Sequence, residues 1–250
     1  PCTISSVIAV NIARFFGMGP MSYPVASFPE QNIQNFAILG GFALVCAVVG
    51  MVFIYSLRKS GQFFAERIEN PYLRVISGGL LVIALTLMSG TRDFNGAGGE
   101  MIALSFTGKV VWYAFLVKII FTAITMGSGF KGGEIVPSFF IGATLGNVFG
   151  QLTGISPSFC AAMGMICVFC SVVNCPMASV LMSIELFGGE GMLFFALGCG
   201  ICFVASGYYS LYATQNFVYS KVPLKKTDDR SLSLKPRKWK ELSVGKNEKK

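Results

Sequence analysis

Between Gly127 and Pro137 the chain reads Gly-Ser-Gly-Phe-Lys-Gly-Gly-Glu-Ile-Val-Pro, and this segment holds the residues best suited to chemistry. Its glycines free the backbone to turn, and Pro137 falls in the first turn of the apolar stretch that follows, where its missing N–H costs nothing. A helix N-terminus therefore closes the loop. The unpaired N–H groups there and the positive end of the helix dipole make an anion site without a full charge, which would hold the ion too tightly. The candidate ligands are the backbone groups of Gly133, Glu134, Ile135 and Val136. Glu134 adds a carboxyl beside the anion position. Burial near an anion favours its protonated form, which suits proton coupling or hydrogen bonding to the anion. The alternative is a structural carboxylate that accepts hydrogen bonds from loop amides.

Other groups with chemical potential read differently. Cys167-Val-Phe-Cys170 and Cys199-Gly-Ile-Cys202 have CxxC spacing, but both sit in uncharged runs and the chain contains no His. Metal-bound thiolates there would be charges in hydrocarbon, so small buried side chains are the expected role, with no metal and no cofactor. Lys109 and Lys118 are embedded in an otherwise apolar segment and must either snorkel or face a protein interior. Glu185 and Glu190 bracket Phe187-Gly188-Gly189 at a helix end and read as solvated or capping groups. With no His, no activated-nucleophile motif and no phosphate-binding lysine loop, the reading is not an enzyme.

The elements that position these groups belong to a membrane. Of 250 residues 53% are hydrophobic and only 13% charged, against roughly 25% charged in soluble domains. Residues 36–57 carry no charge and predict one clean transmembrane helix, followed by a polar loop with Arg58, Lys59, Arg67 and Arg74. Apolar stretches follow at 75–90 and 101–126. From Ile135 to Ile184 no residue is charged, yet glycines, Asn174 and Pro176 interrupt the run. The expected helices there are 136–152, 158–172 and 176–187, then 191–206 and a further piece from Tyr208. Several are too short to span a bilayer, which predicts tilted and discontinuous helices lining a polar cavity. Gly142, Gly146 and Gly150 recur every four residues and mark a close helix contact.

The net charge of +8 belongs mainly to the end of the chain: residues 221–250 hold 11 Lys+Arg against 4 Asp+Glu, while residues 1–220 hold 9 against 8. A basic run beside an apolar segment is explained by cytoplasmic topology and anionic lipid, without nucleic acid. The expectation is a transmembrane region over 1–220 and a basic cytoplasmic tail over 221–250, in a multi-pass protein of the cell membrane.

The loop resembles the CLC family of chloride channels and anion/proton antiporters, whose second half carries a glycine-rich G-x-F-x-P loop before a glycine-rich apolar helix. Gly133-Glu134-Ile135-Val136-Pro137 followed by SFFIGATLGNVFGQLTG fits that frame, with Ile135 at the usual Phe. Asn174-Cys175-Pro176 with MASVLMSIEL resembles the family's late proline-initiated helix. Ser210-Leu211-Tyr212 resembles the S-x-Y segment whose tyrosine hydroxyl coordinates the ion, which singles out Tyr212 from Tyr208, Tyr209 and Tyr219. Glu134 is similar to the acid of the bacterial fluoride-exporting branch, while Val136 stands at that branch's small polar position.

The resemblance implies an all-α polytopic fold, the second half of a CLC-type inverted repeat, and a homodimer with helices 176–206 near the interface. It implies transport of fluoride or chloride, with protons as the exchanged partner and Glu134 as the coupling candidate. None of the first-half motifs G-S-G-I-P, G-K-x-G-P or G-R-E-G-T occurs, so the chain reads as the C-terminal half of a longer protein. Three functions stay open: an anion/proton antiporter, a passive chloride channel, and a truncated, non-transporting membrane fragment.

Overall fold

A computed structural model describes residues 2–17, 23–108, 110–208 and 210–212. Among the described residues the regular structure is entirely helical: α1 (Cys2–Phe15), α2 (Ile33–Arg67), α3 (Pro71–Ser89), α4 (Gly99–Thr107), α5 (Ala114–Gly127), α6 (Ile135–Thr153), α7 (Pro157–Val173), α8 (Pro176–Phe187) and α9 (Met192–Ala205). By length and composition α2, α3 and α6 can each cross a membrane. Helices α4 and α8, with 9 and 12 residues, are only about 13 and 18 Å long at 1.5 Å per residue and cannot cross ~30 Å of hydrocarbon. The expected short, discontinuous helices are present.

Local sequence explains most of the boundaries. Proline opens α3, α7 and α8 in their first turns, and the Asn70 side chain accepts from the Tyr72 amide to cap α3. Gly90 and Gly154 end α3 and α6 in the left-handed region, at φ 67° and 76°. Asn174 ends α7 at φ 64°, a conformation that asparagine tolerates better than most residues.

Two expectations are corrected. The helix read as 36–57 continues to Arg67, because nothing between Ser56 and Glu66 breaks it except Gly61, which a helix accommodates. Arg58, Lys59 and Arg67 therefore lie on α2 and not in a loop, and only residues 68–70 separate α2 from α3. The stretch read as one element over 101–126 is two helices with a break after Gly108. Asn147 of α6 fills that break: its Nδ2 donates to the carbonyls of Ser105 (2.7 Å) and Gly108 (2.9 Å), and its Oδ1 accepts from the Val110 amide at 3.4 Å. Three of the backbone groups at the interruption are thus paired inside the protein, as an apolar environment demands.

Helix α7 is the centre of the bundle, buried continuously from Ser158 to Val172. It packs backbone to backbone on α6. A Cβ placed on Gly142 would overlap the Gly164 carbonyl, and one on Gly146 would overlap that of Cys160. The glycine stripe is a helix–helix contact, as its spacing predicts. Around this pair lie α2 and α9, contributing Phe42, Ala43, Phe53, Phe194, Phe195 and Cys199 to the core. Cys46, Cys160, Cys167, Cys170, Cys199 and Cys202 are buried where these helices meet, and the Cys202 thiol donates to the Ala43 carbonyl at 3.1 Å. Helix α3 buries only Gly78, against Ser128, and turns Leu80, Leu81, Ile83, Leu87 and Met88 outward.

Candidate functional site

The loop from Ser128 to Glu134 connects α5 to α6. Ser128 is fully buried and donates its hydroxyl proton to the Thr125 carbonyl at 3.0 Å, while Gly129 turns the chain at φ +99°. Any other residue would be strained at that φ, so this glycine is what lets the chain leave α5 and enter α6 within seven residues. Glu134 is the N-cap residue of α6, but its side chain makes no capping hydrogen bond. The first turn is fixed from within: Ser138 donates its hydroxyl proton to the Ile135 carbonyl at 2.6 Å and its amide to the Glu134 carbonyl at 3.3 Å.

Ile135 and Val136, at 37% and 39% exposed, form the first turn of α6, whose leading amides have no acceptor within a helix. Pro137 has no N–H to satisfy and is buried. Two orphan amides thus stand beside a carboxyl that is not occupied in capping. Glu134 lies in the loop, outside the helical spans, and its partial burial pushes its carboxyl pKa upward.

A cavity of about 390 Å³ borders this loop, lined among others by Gly132, Gly133, Val136 and Pro137, by Lys118, Thr122 and Thr125 of α5, and by the turn at Phe94 and Gly96. Lys118, one of the two embedded lysines, faces the interior and is 2% exposed. Its Nζ donates to the carbonyls of Phe94 (3.0 Å) and Gly96 (2.7 Å) and lies 4.9 Å from the centroid of the Phe140 ring. Lys109 lies outside the described residues.

Tyr212 is 46% exposed and does not line that cavity. Its segment is nevertheless firmly held. The Arg58 guanidinium of α2 donates to the Ser210 carbonyl, Leu211 donates its amide to Val172 at 2.9 Å, and the Tyr212 amide donates to the Ser210 hydroxyl at 3.3 Å. Asn174 ties the same segment to the end of α7 through the Gly207 carbonyl at 3.1 Å. The structure thus brings Gly133 and Val136 to one cavity, with Glu134 and Ile135 between them, and anchors Tyr212 separately. Glu185 and Glu190 are exposed, in keeping with solvated positions. Thr122 and Thr125 are lining residues that the loop motif alone does not reveal. They follow Lys118 at i+4 and i+7, one helical face, and that spacing is the signal that could have found them.

This geometry, an interrupted helical bundle with a glycine-rich loop delivering a helix N-terminus, is that of a known family. The chain belongs to the voltage gated chloride channel family, which matches over residues 1–207. Among its relatives is a chloride/fluoride channel protein of Pseudomonas syringae pv. tomato, 29% identical over 227 residues, covering 88% of this chain and 50% of the relative. A voltage-gated ClC-type chloride channel, ClcB, of Citrobacter koseri is 24% identical, covering 77% of this chain and 49% of its own length. The crystal structure of a CLC-type fluoride/proton antiporter superposes with a TM-score of 0.77 at 29% identity, covering 80% of this chain and 51% of that one. The chain spans about half the length of the curated relatives it matches. It is an all-helical membrane protein of a family that transports anions.

Proposed function

We propose that this chain forms one half of the anion pathway of an anion/proton antiporter, with fluoride as the preferred ion over chloride. The observation that carries the reading is the uncapped, partly buried carboxyl of Glu134 beside the orphan amides at the start of α6. Protonated, it donates a strong hydrogen bond to fluoride, the smaller and more basic halide; ionised, it repels any anion held by those amides. One carboxyl thereby links anion occupancy to proton occupancy. Gly133, Glu134, Ile135 and Val136 supply the backbone ligands, and the Tyr212 hydroxyl supplies a side-chain donor from the segment anchored by Arg58. The relative described as a chloride/fluoride channel and the fluoride/proton antiporter structure support the class of ion.

The same reading covers the assembly. The chain serves as the C-terminal half of a longer CLC-type protein that works as a homodimer in the cell membrane. Met177, Leu181, Leu193, Leu197 and Val204 of α8 and α9 are exposed apolar residues that suit a subunit interface within 176–206. Residues 1–220 form the membrane region, and 221–250, outside the described residues, form a basic cytoplasmic tail.

The test is transport by the full-length protein in liposomes. Fluoride should move faster than chloride and should shift the lumenal pH as it moves. Glu134→Gln keeps size and donor capacity but cannot exchange a proton, so it should uncouple proton movement from anion movement, or slow both by at least tenfold, with the protein still folded. Equal fluoride and chloride flux in the parent, unaltered by the substitution, would leave Glu134 a structural residue. Passive chloride conduction is the second reading, favoured by the apolar Val136 immediately before Pro137 in the loop motif; it predicts anion flux without any lumenal pH change.

A further inference from the structure

The cavity beside the loop contains a charge to which the proposed function gives no task. Lys118 is 2% exposed, and its Nζ neighbours are two carbonyl oxygens and the face of Phe140, with no carboxylate among the described residues. Carbonyl dipoles and an aromatic quadrupole stabilise an ammonium but leave its net charge intact. If the only task were to hold the carbonyls of the 92–98 turn, a neutral amide donor would do it without desolvating a full charge. The turn has a second tether in any case, since the Thr86 hydroxyl bonds to the Asn95 side chain at 3.1 Å. What the lysine adds is an uncancelled positive charge in the lining of the cavity that Gly132, Gly133, Val136 and Pro137 also line. In low-dielectric surroundings such a charge acts across a cavity far more strongly than in water.

We propose that Lys118 is the counter-charge of the anion site, a positioning residue that sets affinity for small monovalent anions through its field and not as a ligand. The proposal rests on the reading that the loop before α6 binds the anion. In that arrangement the orphan amides give direction and shape, while the lysine supplies the attraction that they lack. Because the field acts on any monovalent anion, removing it should weaken fluoride and chloride alike, without altering the preference between them.

The test measures initial anion flux against anion concentration for the full-length protein in liposomes, using sodium fluoride and sodium chloride as probes, with thermal unfolding in detergent alongside. Lys118→Met should raise the half-saturating concentration of both anions about tenfold while the maximal rate stays within about twofold. Lys118→Gln, which keeps a donor for the two carbonyls, should do the same, whereas Lys118→Arg should stay near the parent. Thr86→Val loosens the 92–98 turn with the charge in place and should leave half-saturation unchanged. The proposal is overturned if half-saturation is unaltered in Lys118→Met, if Thr86→Val reproduces its effect, or if neither neutral variant folds, since then the lysine serves only as a tether. Failure of the loop reading looks different: Glu134→Gln would then leave anion handling untouched whatever Lys118 does.

Discussion

Glu134 illustrates how one side chain inherits its chemistry from backbone geometry. It occupies the N-cap position of α6, where an acidic residue commonly accepts hydrogen bonds from the first turn, yet no such bond forms. The carboxyl is left to respond to proton and anion, and burial shifts its pKa upward. The sign of the pH dependence follows. Below that raised pKa the carboxyl is a neutral donor that favours fluoride; above it, a carboxylate opposes every anion at the loop. Fluoride flux, corrected for protein-free vesicles, should therefore rise as pH falls through the Glu134 titration, and Glu134→Gln should flatten that profile. Glu134 was legible in the sequence because three neighbouring positions constrain it: Gly132 and Gly133 before, Pro137 after. Lys118 was not, because a lysine inside an apolar run fits snorkelling and burial equally well, and only the approach of the Phe94 and Gly96 carbonyls from a separate turn decides between them.

Among the elements, α6 and α7 carry the architecture, and their contact was readable from glycine spacing alone. Backbone stands where a side chain would have to go at Gly142 and Gly146, so accommodation requires the helices to separate. Gly146→Val should destabilise by about 1–3 kcal/mol or more and lower the unfolding temperature in detergent. Gly41→Ala on α2, where nothing lies within 4 Å, should leave it unchanged or slightly raised. The break between α4 and α5 escaped the sequence reading for a related reason. Its cause is not in the segment that breaks but in Asn147, some forty residues downstream, which pairs the exposed backbone groups. The extension of α2 to Arg67 was missed because charge was taken to end the helix, whereas charge ends only the apolar part of it. Arg58 consequently sits on a rigid rod and reaches the Ser210 carbonyl next to Tyr212, a tie that no local motif announces.

For the molecule as a whole, the all-helical fold and its family were recoverable from uncharged runs, proline-initiated helices and one loop motif. The position of the 221–250 tail is a matter for topology experiments. A cysteine introduced at Ser243 in a full-length, cysteine-depleted background should react with an impermeant maleimide only after the membrane is opened, as a cytoplasmic tail requires. The native thiols tell a different story. Among the cysteines whose side chains are described, six are buried where α2, α6, α7 and α9 pack together, while Cys175, in the two-residue gap before α8, is exposed. Those helices are held by apolar packing without a disulfide among the described residues, so the buried thiols become reactive only when the crossings part. The bundle thus contains an internal gauge of its own cohesion: among the described thiols, Cys175 registers the intact state, and the six buried ones register the moment the rods come apart.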